Sequence, residues 1–148
     1  MKIEMTPSIE DYLETIYRLD KGNGVRSIDV AKAMCVSKPS VNRAIKTLIG
    51  HNYVTQIPYQ DIFLTDKGRK IAQELNMRYS ILKGFLIHIL GVDADRAEIE
   101  ANYMEHGMSN DTIEKIGDLI REYSMRESEE RVKEAQSEAI EKGITKIE

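Results

Sequence analysis

The stretch from Ser27 to Gly68, SIDVAKAMCVSKPSVNRAIKTLIGHNYVTQIPYQDIFLTDKG, constrains the fold more tightly than any other part of the chain. Its opening, SIDVAKAM, is a short helical pattern with apolar Ile28, Val30, Ala31, Ala33 and Met34. A turn at Cys35-Val36 follows, and Ser37 then offers a hydroxyl suited to capping the next helix. Pro39 falls in that helix's first turn, where its missing N–H removes no intrahelical bond. Val41, Ala44, Ile45, Leu48 and Ile49 recur at helical spacing and are expected to face a core. Beyond His51-Asn52 come two β-prone runs, Tyr53 to Ile57 and Ile62 to Leu64, with Pro58-Tyr59-Gln60-Asp61 as a hairpin tip. Helix, turn, polar-faced helix and hairpin is the order of a winged helix-turn-helix.

The outer face of the second helix carries the case for DNA. A helix entering the major groove needs side chains that bond base edges and others that neutralise phosphates. Ser37, Lys38, Pro39, Ser40, Asn42 and Arg43 occupy the first two turns, and Lys46, a turn later, is placed for a phosphate. Tyr59 and Gln60 at the hairpin tip complete the candidate DNA-contacting set. A polar stripe is more often a solvated surface, or here a protein-docking face. Lys38, Arg43 and Lys46 stand where a docking helix would more often expose apolar anchors.

The formal net charge of −4 is unevenly divided. Up to Leu75 there are 11 basic and 9 acidic residues; from Asn76 onward there are 10 and 16. Attraction to phosphates follows the local field more than the total. The single cysteine, Cys35, excludes a disulfide framework and a cysteine-based zinc module. No apolar run approaches a membrane span or signal-peptide core, so a cytoplasmic protein is expected. His51, His88 and His106 fall on separate elements, and no nucleophile set or phosphate loop accompanies them. An enzyme is not expected.

The first helix opens either at Thr6, with Pro7 at its first position, or at Ser8, with Asp11 completing a capping box. Ile9, Leu13, Ile16 and Tyr17 form its apolar stripe, and Gly22-Asn23-Gly24 ends it. Asp11 and Glu14, three apart, share a face; as ordinary helix residues they would be a favourable N-terminal charge and an exposed position. Thr65 can cap a long helix in which Ile71, Leu75, Tyr79, Leu82, Phe85, Leu86 and Ile89 recur as far as Leu90, with Gly91 as its stop. Two shorter helices follow, Asp95 to His106 and Ser109 through Tyr123. Their apolar faces exceed what one subunit covers, so a two-fold homodimer is expected, presenting two reading helices to a palindromic site. Glu98, Asn102, Glu105 and His106 line one polar face, an oxygen- and nitrogen-rich set suited to manganese or ferrous iron, or else simply solvated. The polar run from Arg126 to Lys142 reads as an exposed or partly detached helix.

These pieces carry a resemblance. TPSIEDYLETIY (Thr6 to Tyr17), the helix-turn-helix with LTDKG (Leu64 to Gly68), FLIHILGVD (Phe85 to Asp93), EHGMS (Glu105 to Ser109) and IGDLI (Ile116 to Ile120) resemble the iron- and manganese-dependent repressors of the diphtheria toxin repressor family, closest to the shorter manganese transport regulator type. The resemblance covers Met5 to Tyr123. It implies a homodimer that binds double-stranded operator DNA when a divalent metal bridges the first helix to the dimerisation domain. It implies Asp11, Glu14, Glu105, His106 and the Asn102 carbonyl as metal ligands, with manganese ahead of iron. Tyr79 stands where the family has a histidine and Asn102 where it has glutamate or cysteine, so one ion is implied and not two. The opposite reading is a regulator that has lost metal control and needs no metal.

The expected protein is thus mainly α: an N-terminal winged helix-turn-helix of three helices and a two-stranded wing, then an all-helical dimerisation domain. Residues 1–70 would read DNA, 71–124 would bind metal and dimerise, and 125–148 would form a polar tail. The expected function is a manganese- or iron-responsive transcriptional repressor. The alternatives are a metal-independent winged-helix regulator and a winged-helix protein-interaction module.

Overall fold

A computed structural model describes residues 8–143. The possible helix start at Thr6-Pro7 lies outside the described residues. The elements run α1 (Ile9–Leu19), α2 (Ser27–Met34), α3 (Lys38–Gly50), β1 (Val54–Gln56), β2 (Ile62–Leu64), α4 (Asp66–Gly84), a π-helical turn (Phe85–Ile89), α5 (Ala94–Gly107) and α6 (Asn110–Glu141). The chain divides into two compact units between Met77 and Arg78, within α4. None of the described helices is long and apolar enough to cross a membrane.

In the N-terminal unit, Ser8 caps α1. Its hydroxyl accepts from the Asp11 amide at 3.1 Å, while the Asp11 carboxylate accepts from the Ser8 amide at 2.7 Å. The core is built from Leu13, Ile16, Val30, Val41, Ala44, Ile45, Leu48, Val54 and Ile62, which bury α1, α2, α3 and the wing against one another. Ala72 and Leu75 of α4 join it, so this unit continues past residue 70. The buried stripe of α1 is Tyr12, Leu13, Thr15 and Ile16, whereas the expected Ile9 and Tyr17 are only partly buried. Ile49, also expected in the core, is exposed, as is Ile28 of α2. Thr15 can be buried because its hydroxyl donates to the Asp11 carbonyl at 2.8 Å and accepts from Arg18 at 3.2 Å.

The wing is antiparallel, with Val54 opposite Leu64 and Gln56 opposite Ile62. Val25 bridges to β2 as well, exchanging two 2.8 Å backbone bonds with Ile62. Thr65 joins wing to α4: its hydroxyl donates to the Asn52 carbonyl at 2.6 Å and accepts from the Gly68 amide at 3.0 Å. Gly68 is buried so close to the wing that an added Cβ would lie 1.8 Å from the Tyr53 carbonyl oxygen.

The C-terminal unit packs Leu82, Leu86, Ala97, Ala101 and Ile113 into a smaller core, flanked by Ile81, Phe85, Met104 and Ile116. The expected single helix to Leu90 ends in a π-helical turn, where the Leu90 amide reaches the Phe85 carbonyl at 3.2 Å, and Gly91 terminates it at φ 67°. Asp93 caps α5 and Ser109 caps α6. The polar run after Tyr123 is a continuation of α6 and not a separate helix. No glycine or proline interrupts it, its residues are mostly strong helix formers, and Glu127–Arg131 (3.4 Å) and Glu138–Lys142 (3.3 Å) support it at i,i+4 spacing. Gly143, at φ 61°, ends it.

Gly68→Ala is expected to lower stability by more than about 2 kcal/mol, since a methyl group cannot share space with the backbone of Tyr53. Urea unfolding monitored by circular dichroism reads this as a lower midpoint at unchanged slope.

A pH effect follows from Asp20. Burial raises its carboxyl, but hydrogen bonds from the Gly22 amide and Arg69 guanidinium outweigh that and hold it below the usual carboxylate range. A depressed folded value means the Asp20–Arg69 contact stabilises above the ordinary carboxylate range and is lost as pH falls through the folded value. With Arg69 half exposed, the loss is on the order of 1 kcal/mol. Asp20→Asn is expected to flatten the acid limb of urea midpoint against pH by that amount.

Candidate nucleic-acid interface and metal ligands

The α3 surface is set by its cap. The Ser37 hydroxyl accepts from the Ser40 amide at 3.3 Å and lies 2.8 Å from the Ser40 hydroxyl, which accepts from Arg43 at 3.3 Å. Ser37, Ser40 and Arg43 thereby form one hydrogen-bonded row along the first two turns. Lys38, Pro39, Asn42, Arg43 and Lys46 are exposed, and Ser40 is half-buried. Among the described ion pairs none involves Lys38, Arg43 or Lys46. Their charges therefore face solvent uncompensated by a carboxylate, as a phosphate-binding surface requires.

Tyr59 at the wing tip is fully exposed and adopts φ 64°, and Gln60 beside it is exposed. Gln56 was not singled out from the sequence. Its amide donates to the Gln60 carbonyl at 2.9 Å and to the Ser27 hydroxyl at 3.3 Å, tying the tip to the start of α2. Only a polar residue inside a strand marked it, which is a weak signal.

Two candidate metal ligands lie in the N-terminal unit. Asp11 and Glu14 are half-buried and one turn apart on α1. Asp11 also serves the Ser8 cap, and a carboxylate has enough lone pairs to cap and ligate at once. The others lie on α5 in the C-terminal unit. Glu105 is 1% exposed, and its Oε1 stands 3.4 Å from Nε2 of His106, itself largely covered. Glu98 and Asn102 are exposed whereas Glu105 is buried, so the four do not form one solvated face, the alternative to a metal-binding one. Burial divides the set because the last turn of α5 packs inward through Met104 and Met108.

Tyr79 packs against the C-terminal core, with the Lys83 ammonium 5.8 Å from its ring centroid and 3.5 Å from Glu98. Tyr79, and after it Glu98, hold that ammonium above the usual lysine range. Arg78 was also missed by sequence reasoning. Its guanidinium donates to the Glu105 carbonyl, the Met108 carbonyl (2.7 Å) and the Asn110 side-chain oxygen. A lone arginine within an apolar helical stripe was its one signal.

A capped reading helix with a hairpin wing, followed by a helical unit carrying carboxylate and imidazole donors, defines a winged-helix DNA-binding regulator. Residues 4–62 match the N-terminal DNA-binding domain of the iron-dependent repressors, and residues 65–131 match their metal-binding and dimerisation domain. The chain is 37% identical over 133 residues to the HTH-type transcriptional regulator MntR of Bacillus velezensis, covering 89% of this chain and 92% of that protein. To the MntR of Bacillus subtilis it is 36% identical over equal coverage. Among solved structures, the manganese regulator SloR superposes with TM-score 0.71 at 30% identity over 79% of this chain, and a manganese-dependent transcriptional repressor in complex with manganese with TM-score 0.70 at 26%. The chain spans 55% and 52% of the length of those two chains. The protein belongs to the iron-dependent repressor family, whose members are transcriptional regulators, not a class of enzyme.

Proposed function

We propose that the chain is a manganese-responsive transcriptional repressor that binds a palindromic operator as a homodimer in the cytoplasm. The observation that carries this reading is the α3 surface: Lys38, Arg43 and Lys46 exposed without carboxylate partners among the described residues, on a domain of a DNA-binding family. Asn42 and Arg43 take base edges, Ser37, Lys38, Ser40 and Lys46 take phosphates, Pro39 fixes the helix start, and Tyr59 and Gln60 bring the wing to the adjacent backbone. The reading contacts fall within residues 1–70, whose core extends to Leu75; residues 71–124 supply the dimerisation domain with Glu105 and His106, and 125–148 a polar extension.

The metal reading rests on donor chemistry. Asp11, Glu14, Glu105 and His106 offer three carboxylates and one imidazole, with the Asn102 carbonyl and water as further donors. That set suits manganese ahead of ferrous iron and does not suit soft thiophilic ions. Glu105 is 1% exposed, and such surroundings limit the access of competing solvent to a ligating carboxylate. A divalent ion held by these donors would supply fixed positive charge. Relatives named for manganese regulation support the choice of metal.

Asn42→Ala and Arg43→Ala are expected to weaken specific operator binding by about 1–3 kcal/mol each. Lys46→Ala should instead weaken binding to all sequences and reduce the salt slope by about one. Fluorescence anisotropy on operator and scrambled duplexes measures both; three variants that bind like the parent would exclude this docking.

Operator binding is expected to require manganese and to vanish with chelator, and His106→Ala is expected to abolish both the heat of manganese titration and metal-dependent binding. DNA binding indifferent to chelator, with no titration heat, would instead identify a metal-independent regulator.

A further inference from the structure

We propose that Arg78 is a positioning residue that pre-forms the Glu105–His106 half of the metal site by holding the last turn of α5 in place from α4. This rests on the metal-responsive reading above. The last four carbonyls of any helix lack intrahelical partners, and its final turn is the part most prone to fray. Helix α5 ends at Gly107, and its C-cap Met108 is extended (φ −104°, ψ 143°). Glu105 and His106 both sit in that final turn. The Glu105 carbonyl is one of the orphans, and the Arg78 guanidinium takes it together with the Met108 carbonyl at 2.7 Å. The same group reaches the Asn110 side chain at the start of α6. One planar fork therefore joins α4, the end of α5 and the beginning of α6, a geometry a lysine ammonium cannot reproduce in full.

The consequence is for ligand order. If the last turn of α5 is frayed for part of the time, only the ordered fraction binds metal, and apparent affinity drops by that fraction. Leu82, Leu86, Ala97, Ala101 and Ile113 form the core of this unit independently of Arg78, so removing the fork is expected to loosen the turn without unfolding the domain.

The test is manganese titration by calorimetry of the full-length wild type, Arg78→Met, Arg78→Lys and Asn110→Ala, with amide hydrogen exchange of the α5 terminus. Arg78→Met is expected to weaken manganese binding about 10–100-fold, the range for residues that orient metal ligands. Arg78→Lys should recover part of the loss, and Asn110→Ala should show a smaller one. Exchange at residues 105–108 should speed up in metal-free Arg78→Met and return to the wild-type rate at saturating manganese, where operator binding should also recover. A merely structural role would lower the melting temperature and leave the affinity of the folded protein unchanged; wild-type affinity in Arg78→Met overturns the proposal. Should that variant fail to fold, unchanged affinity in both Arg78→Lys and Asn110→Ala overturns it equally. Failure of the underlying reading is separately visible, because wild type itself would then take up no manganese, and the proposal would fall with it.

Discussion

Burial of one face of α3 is the contact on which the rest of the reading head depends. Val41, Ala44, Ile45 and Leu48 are each at most 4% exposed, and each larger side chain among them contributes roughly 1.5–3 kcal/mol of burial. That face packs against α1, α2 and β1, so its rotation about the helix axis is fixed from several sides. The polar face then has no choice of direction. Advancing the register by one residue would turn the helix by about 100°, moving Arg43 toward the core and Ile45 and Leu48 away from it. The Ser37 cap and the proline in the first turn prevent that slip by defining where the helix begins. Core packing and DNA reading are thus one constraint seen from two sides.

Local signals made much of this legible. Ser37, Ser109 and Gly91 mark element ends in the sequence for the same reason they do so in the fold: each satisfies or tolerates a backbone requirement that few residues meet. The start of α1 was ambiguous between Thr6 and Ser8, and within the described residues the reciprocal Ser8–Asp11 bonds form the cap. Periodicity was less reliable at helix edges. Ile28 and Ile49 satisfy the apolar pattern yet are exposed, while Tyr12 and Thr15 are buried because they border the Leu13–Ile16 stripe.

The C-terminal unit was harder to read for a physical reason. Its decisive contacts join residues about thirty positions apart through single side chains, and no periodic pattern announces them. Glu105 looks in sequence like any acidic surface residue, yet it is among the largest fully buried side chains. Nor does a polar composition after Tyr123 reveal whether a helix continues or restarts. That depends on the absence of a breaker, and α6 runs on to Gly143 because none intervenes.

The departures from the family pattern have a common electrostatic sense. Tyr79 replaces a neutral or cationic imidazole with a phenol, and Lys83, one turn on, lays its ammonium over that ring and against Glu98. An ammonium is a permanent cation tethered by its own chain, so it neutralises Glu98 without the cost of capturing an ion from solution. A divalent cation approaching Glu98 would have to displace that ammonium while finding no carboxylate at Asn102 to replace what it lost in hydration. Glu105 and His106 lie about two turns further along α5, at its C-terminal end, where Glu105 is buried and His106 largely covered. The same helix therefore places a solvent-facing carboxylate paired with Lys83 about two turns from a buried one beside an imidazole, two different electrostatic settings on one element.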